Sequence, residues 1–246
     1  MKTKTFNLAI VLISAAILYS CKAADKTPEV VPTYTYGTSG NGSQITLKFE
    51  KGMSHNHPLY AVWLADSTGK YIQTLYVSES IGKGTFKRAD RNTGKWMPGE
   101  IQRPATLPYW FHERNITNER GTLLPTPERP VVDAYTGATP LSSFEMTLMT
   151  DEKLNGKYQL FLELNQSWDW NEYWTNNKYP ENKEYKTSSQ PAVVYMAAFD
   201  TNDPKTIELK PVGHSHYAGE SGELFTDLST LSTALKIAKK ITIRIF

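Results

Sequence analysis

The sequence predicts an all-β domain, an antiparallel β-sandwich of the immunoglobulin-like kind with long loops and one or two short helices. Three observations carry this. Short apolar segments recur with frequent turn residues between them, several alternate apolar with polar, and sustained helical periodicity is scarce.

Residues 45–49 (ITLKF) alternate as a half-buried strand should. Residues 59–65 and 71–77 form two strands, joined by Asp66-Ser67-Thr68-Gly69-Lys70 as a hairpin. Residues 144–149 and 158–164 flank a turn at Asn155-Gly156. Residues 192–199, 206–210 and 241–246 complete the set. A short helix is predicted over 230–240, with Asp227-Leu228-Ser229-Thr230 reading as its N-cap, and at most a turn or two over 104–111. The stretch from 78 to 140 is rich in Pro and Gly, too long for a bare loop, and so either carries function or conceals an element.

The first twenty residues have the parts of an export signal: Lys2 and Lys4, then an apolar run over 6–18 too short for a mature membrane span. Leu18-Tyr19-Ser20-Cys21 resembles the lipobox of bacterial lipoproteins. That resemblance implies removal of residues 1–20, a diacylglyceryl group on Cys21, and anchoring of the exported chain to the inner or outer membrane. Cys21 is the single cysteine, so it has no partner for an internal disulfide. Residues 21–44, rich in Thr, Pro, Ser and Gly, read as a flexible tether. A single domain over 45–246 follows. The formal net charge is +2, with no basic arm or stripe to bind nucleic acid.

Asp133-Ala134-Tyr135-Thr136-Gly137-Ala138-Thr139 fits the pattern Asp-x-x-Ser/Thr-Gly-Ala-Thr. A chance match in a chain this long is about one in a thousand. The residue types suit attachment of a phosphate at a hydroxyl. Gly137 and Ala138 leave space around Thr139, and Asp133 and Thr136 can hold a turn through local hydrogen bonds. Pro140 biases Thr139 toward extended geometry. A tight turn leading into the strand at Phe144 is the competing reading. The pattern resembles the flavinylation site of periplasmic electron-transfer proteins, in which a flavin transferase joins the FMN part of FAD to the last threonine. The resemblance implies covalent FMN on Thr139.

The run His57-Pro58-Leu59-Tyr60-Ala61-Val62-Trp63-Leu64-Ala65-Asp66, with Gly69 and Thr74-Leu75, is similar to the opening of the periplasmic domain of unknown function 2271 family. Leu107-Pro108-Tyr109-Trp110 and the motif ending at Thr139 add to the likeness, which covers most of residues 45–246. It implies a β-sandwich that works with flavin transferases and membrane flavin or haem reductases. A redox carrier or binding protein is the expectation, with no catalytic residues of its own.

Two further constellations compete for function. His55 and His57, and His214 and His216, are each spaced to share a face of a strand, and with His112 offer a candidate copper or zinc site. Chance pairing at loop ends is the alternative. Trp168-Asp169-Trp170-Asn171-Glu172-Tyr173-Trp174 either closes the sandwich with buried rings or presents them to a glycan or protein partner. A non-redox binding lipoprotein is therefore the second functional expectation. Hydrolytic catalysis finds no Gly-x-Ser-x-Gly elbow.

Overall fold

A computed structural model describes residues 31–37, 42–90, 95, 97–131, 135–137 and 139–246, with the backbone alone at Tyr135. Cys21, Asp133 and Ala138 therefore lie outside the described residues. The fold is all-β and sandwich-like.

One sheet has five strands in the order β1 (Thr33–Tyr36), β8 (Phe144–Met149), β2 (Gln44–Lys51), β13 (Ala238–Ile245) and β11 (Thr206–Glu208). The other has six: β12 (Lys210–His214), β10 (Val193–Asp200), β9 (Lys157–Asn165), β3 (Leu59–Asp66), β4 (Tyr71–Ser78) and β7 (Tyr135–Gly137). Pairing is antiparallel except at two edges, where β1 runs parallel to β8 and β7 parallel to β4.

Alternation along the strands builds the space between the sheets. Ile45, Leu47 and Phe49 of β2, with Phe144, Met146 and Leu148 of β8, are buried. They pack against Tyr60, Val62 and Leu64 of β3 and Leu160, Leu162 and Leu164 of β9. Phe49 stacks on Phe144 at 4.9 Å and on Tyr60 at 6.1 Å, which fixes the ends of β2, β8 and β3 beside one another.

The intervening residues of β3 are just as apolar, because the six-stranded sheet is covered on both faces. Its outer face carries a second core of Ala61, Trp63, Val77 and Phe161, roofed by Ile81, Leu107, Trp110, Phe111 and Val131. The roof is the Pro- and Gly-rich stretch. It contains α1 (Glu79–Gly82), the hairpin of β5 (Thr85–Asp90) with β6 (Met97–Glu100), and α2 (Pro108–Arg114). An uninterrupted apolar strand such as residues 59–65 is what two-sided burial requires.

Three local expectations change. Thr33–Tyr36, read as tether, is a strand, since its Thr-Tyr alternation suits a sheet edge. The helix expected over 230–240 is only a 3-10 turn, Ala234–Lys236, and β13 begins at Ala238 because Ala238, Ile241 and Ile243 are taken into the sandwich core. Asp227 accepts the Ser229 N–H at 2.9 Å in a local turn, with no helix following it. The turn expected over 104–111 is a helix shifted toward the C-terminus, with Pro108 in its first turn.

Candidate functional site at the loop end of the sandwich

The strand registers gather the sequence-predicted sites at one end of the sandwich. β2 and β4 finish there, β3 and β8 begin there, and β9 closes at Asn165 opposite Leu59.

Residues 135–137 of the motif form β7, the edge of the six-stranded sheet, with Gly137 opposite Ser78. The tight turn expected over the motif is thus a short parallel strand leading toward β8. Thr136 packs close to Gly82, where a Cβ would lie 2.6 Å from its methyl group. Gly137 has no room for a side chain either, because a Cβ would lie 2.2 Å from the Tyr36 hydroxyl. The room that Gly137 leaves is thus taken by Tyr36 rather than kept open around Thr139. The Tyr76 hydroxyl donates to the Gly137 carbonyl at 3.1 Å, and the Tyr36 and Tyr76 rings meet at 4.8 Å. Burial holds the Tyr76 and Tyr60 phenols far above the usual tyrosine range, so both stay neutral, and Tyr76 keeps the proton it donates.

Thr139 is partly exposed, and its hydroxyl donates to Ser78 Oγ at 3.1 Å. Ser78 is fully buried, and its oxygen also accepts the Tyr60 N–H at 3.1 Å. Donation to Ser78 occupies the Thr139 proton and leaves the oxygen lone pairs to face another partner. A phosphoester at Thr139 is compatible with this setting: the residue is partly exposed, and its oxygen would exchange the proton given to Ser78 for the bond to phosphorus.

The histidines are each engaged by their own surroundings. His55 packs its ring on Phe49 at 5.8 Å, and burial lowers its pKa. His57 Nδ1 lies 2.8 Å from Asn56 Oδ1. His214 Nδ1 is 2.8 Å from the Ser215 carbonyl, and burial lowers its pKa too. His216 Nδ1 accepts the N–H groups of Ala218 and Glu220, and His112 Nδ1 reaches the Pro108 carbonyl at 2.8 Å. Among the described residues no three His, Cys, Asp or Glu side chains form a group that could hold a metal ion. His55 and His57 precede β3, and His214 and His216 lie at the end of β12.

The aromatic loop divides by residue. Trp174 is buried against Tyr185 and Tyr217, whereas Trp168, Trp170 and Tyr173 are exposed. Asp169 and Asn171 point inward between them. Asp169 accepts the Thr233 hydroxyl at 2.6 Å. Asn171 donates to Gln190, the Thr230 carbonyl and Ser232, and accepts the N–H groups of Tyr173 and Trp174.

Two buried polar groups escaped the sequence reading. Ser78 looks like an ordinary strand end until β7 is paired beside it. Glu163, wholly buried on β9, accepts the N–H groups of Tyr109 and Trp110 at 3.2 and 2.7 Å. It caps α2 where Leu107 offers no side-chain oxygen. The only available signal was a charged residue in the middle of the apolar run over 158–164.

Compared with protein-family models, with curated proteins and with solved structures, the chain matches none.

Proposed function

We propose that this chain is an exported lipoprotein that carries FMN as a phosphoester on Thr139 and passes electrons between a membrane flavin or haem reductase and another acceptor. The observation that carries the reading is Thr139, a partly exposed residue beside an edge strand whose hydroxyl donates to buried Ser78. A separate flavin transferase needs this kind of access, and among the described residues no further strand lies beyond β7.

In the transfer, an Oγ1–phosphorus bond forms at Thr139 while the pyrophosphate bond of FAD breaks. AMP leaves with the bonding electrons, and the hydroxyl proton passes to a base on the transferase. FMN would supply redox chemistry that the chain's own side chains do not. Tyr76, through its bond to the Gly137 carbonyl, and Tyr36, packed over Gly137, keep the motif's backbone against the sheet.

The test is the intact mass of the chain co-expressed with a periplasmic flavin transferase. A gain of one FMN phosphoester that disappears in Thr139→Ala supports the reading. An unmodified mass beside an active control, or a Thr139→Ala protein that keeps covalent flavin, overturns it.

A further inference from the structure

Large apolar side chains left in solvent are concentrated at one end of this fold. Met53 (87% exposed), Leu141 (61%), Trp168 (66%), Trp170 (55%) and Tyr173 (51%) lie on three connections that meet at the loop end. These are residues 52–58, 139–143 and 166–192. Ile72 and Phe246, also exposed, lie at the other end, and Met97 and Ile116 lie on the roof.

The exposure is imposed by the structure around the loop. The Trp168 N–H donates to the Thr187 carbonyl, the Asp169 N–H to the Ser188 carbonyl, and the Gln190 N–H to the Asp169 carbonyl. With Asp169 and Asn171 anchored inward, the alternate residues Trp168 and Trp170 must face out. Trp168 also has a φ of 58°, the left-handed region, which costs an L-residue about 1–2 kcal/mol. Such strain persists where surroundings over-determine it, and it concentrates at functional positions. An exposed apolar patch of this kind marks an interaction surface.

The course of the chain identifies the occupant. β1 begins at this same end: the Glu145 N–H donates to the Pro32 carbonyl, one residue beyond Phe144. Cys21 lies ten residues before Val31, a reach of about 35 Å at most. A lipid on Cys21 therefore tethers the domain by the end that carries the exposed rings. Trp and Tyr, apolar in the ring and polar at the tip, favour the boundary between headgroups and acyl chains. The flanking charges have both signs. Glu172 is exposed, and Lys178 Nζ sits 3.2 Å from the Tyr173 ring centroid, so aromatic insertion rather than net charge selects the surface.

We infer that this end is a membrane-docking face, with Met53, Leu141, Trp168, Trp170 and Tyr173 entering the bilayer interface. The inference rests on the reading of Cys21 as lipid-bearing. Docking in this orientation sets Thr139, two residues from Leu141, on the membrane side of the domain.

The test uses the lipidated protein, its acylation established by intact mass, in phosphatidylcholine vesicles with acyl chains brominated near the carbonyl. Trp168 and Trp170 are two of six tryptophans, so quenching of about a third of the indole emission is expected. Trp168→Phe/Trp170→Phe, with an unchanged near-ultraviolet spectrum in detergent, should lose most of it. Acylated protein without quenching, or quenching untouched by the double substitution, overturns the docking face. Absence of quenching joined to an indole shift on adding a soluble oligosaccharide overturns it in favour of a sugar platform. A mass without acyl chains overturns the lipid anchor itself, and with it the choice of occupant.

Discussion

The Glu163 carboxylate accepts the Trp110 N–H at 2.7 Å from a wholly buried position, and so ties the roof to the central strands of the six-stranded sheet. Burial raises its pKa to about 8, against the stabilising pull of the Trp110 and Tyr109 N–H groups. An acid whose pKa is raised on folding binds its proton more tightly in the folded state. Its contribution is greatest below the unfolded value, roughly 4.3, and is lost as pH rises toward about 8. Glu163→Gln keeps an acceptor for one of the two N–H groups and removes the titration. The difference in Tm between wild type and variant should therefore shift in the variant's favour between pH 5 and pH 8. A difference that stays constant with pH would refute the assignment.

Gly137→Ala should destabilise the domain. A Cβ there would meet the Tyr36 hydroxyl at 2.2 Å and its ring at 2.7 Å, and the Tyr36 ring is backed by Tyr76. Overpacking of this kind costs about 1–3 kcal/mol, read as a drop in Tm of roughly 2–4 °C per kcal/mol. A variant as stable as wild type would mean that β7 yields without cost.

Ser78→Ala removes the acceptor shared by the Thr139 hydroxyl and the Tyr60 N–H. Leaving the buried Tyr60 N–H unpaired costs about 1–3 kcal/mol. If the hydroxyl direction at Thr139 matters to flavin transfer, the variant should also be modified more slowly at temperatures where it is fully folded. Equal rates would leave Ser78 with a structural role only.

Trp168→Asn should leave stability unchanged or raise it by up to about 1 kcal/mol, because Asn accepts the left-handed backbone more easily than Trp. Thermal unfolding measures this, and a clear loss of stability would mean that the indole supports the fold. Asn171→Ala should behave in the opposite way. It deletes the bonds to Gln190, the Thr230 carbonyl and Ser232, and should open residues 166–192 to limited proteolysis.

Residues 45–49 and 144–149 could be read directly from the sequence, because one face is buried and the other meets polar surroundings. Alternation with period two then marks the strand and its inward side. The roof could not be read so. Its residues bury against an outer face whose existence depends on β3, β4 and β9 being paired first, and Ile81, Leu107, Trp110, Phe111 and Val131 follow no single period. The same reason hid Glu163, whose partners are 53 and 54 residues away.

By itself the sequence determined the long strands β2, β3, β4, β8, β9 and β10, the stretch that needed a hidden element, and the positions worth testing at Thr139 and along residues 168–174. Periodicity and residue type are local properties, and these features depend on nothing else. The tertiary structure decided that Thr33–Tyr36 joins a sheet, that Gly137 serves close packing, and that Trp174 is buried while Trp168 and Trp170 face out. Each of these outcomes is set by contacts between segments far apart in the chain, and pairing across such distances is fixed only once the strands have found their registers.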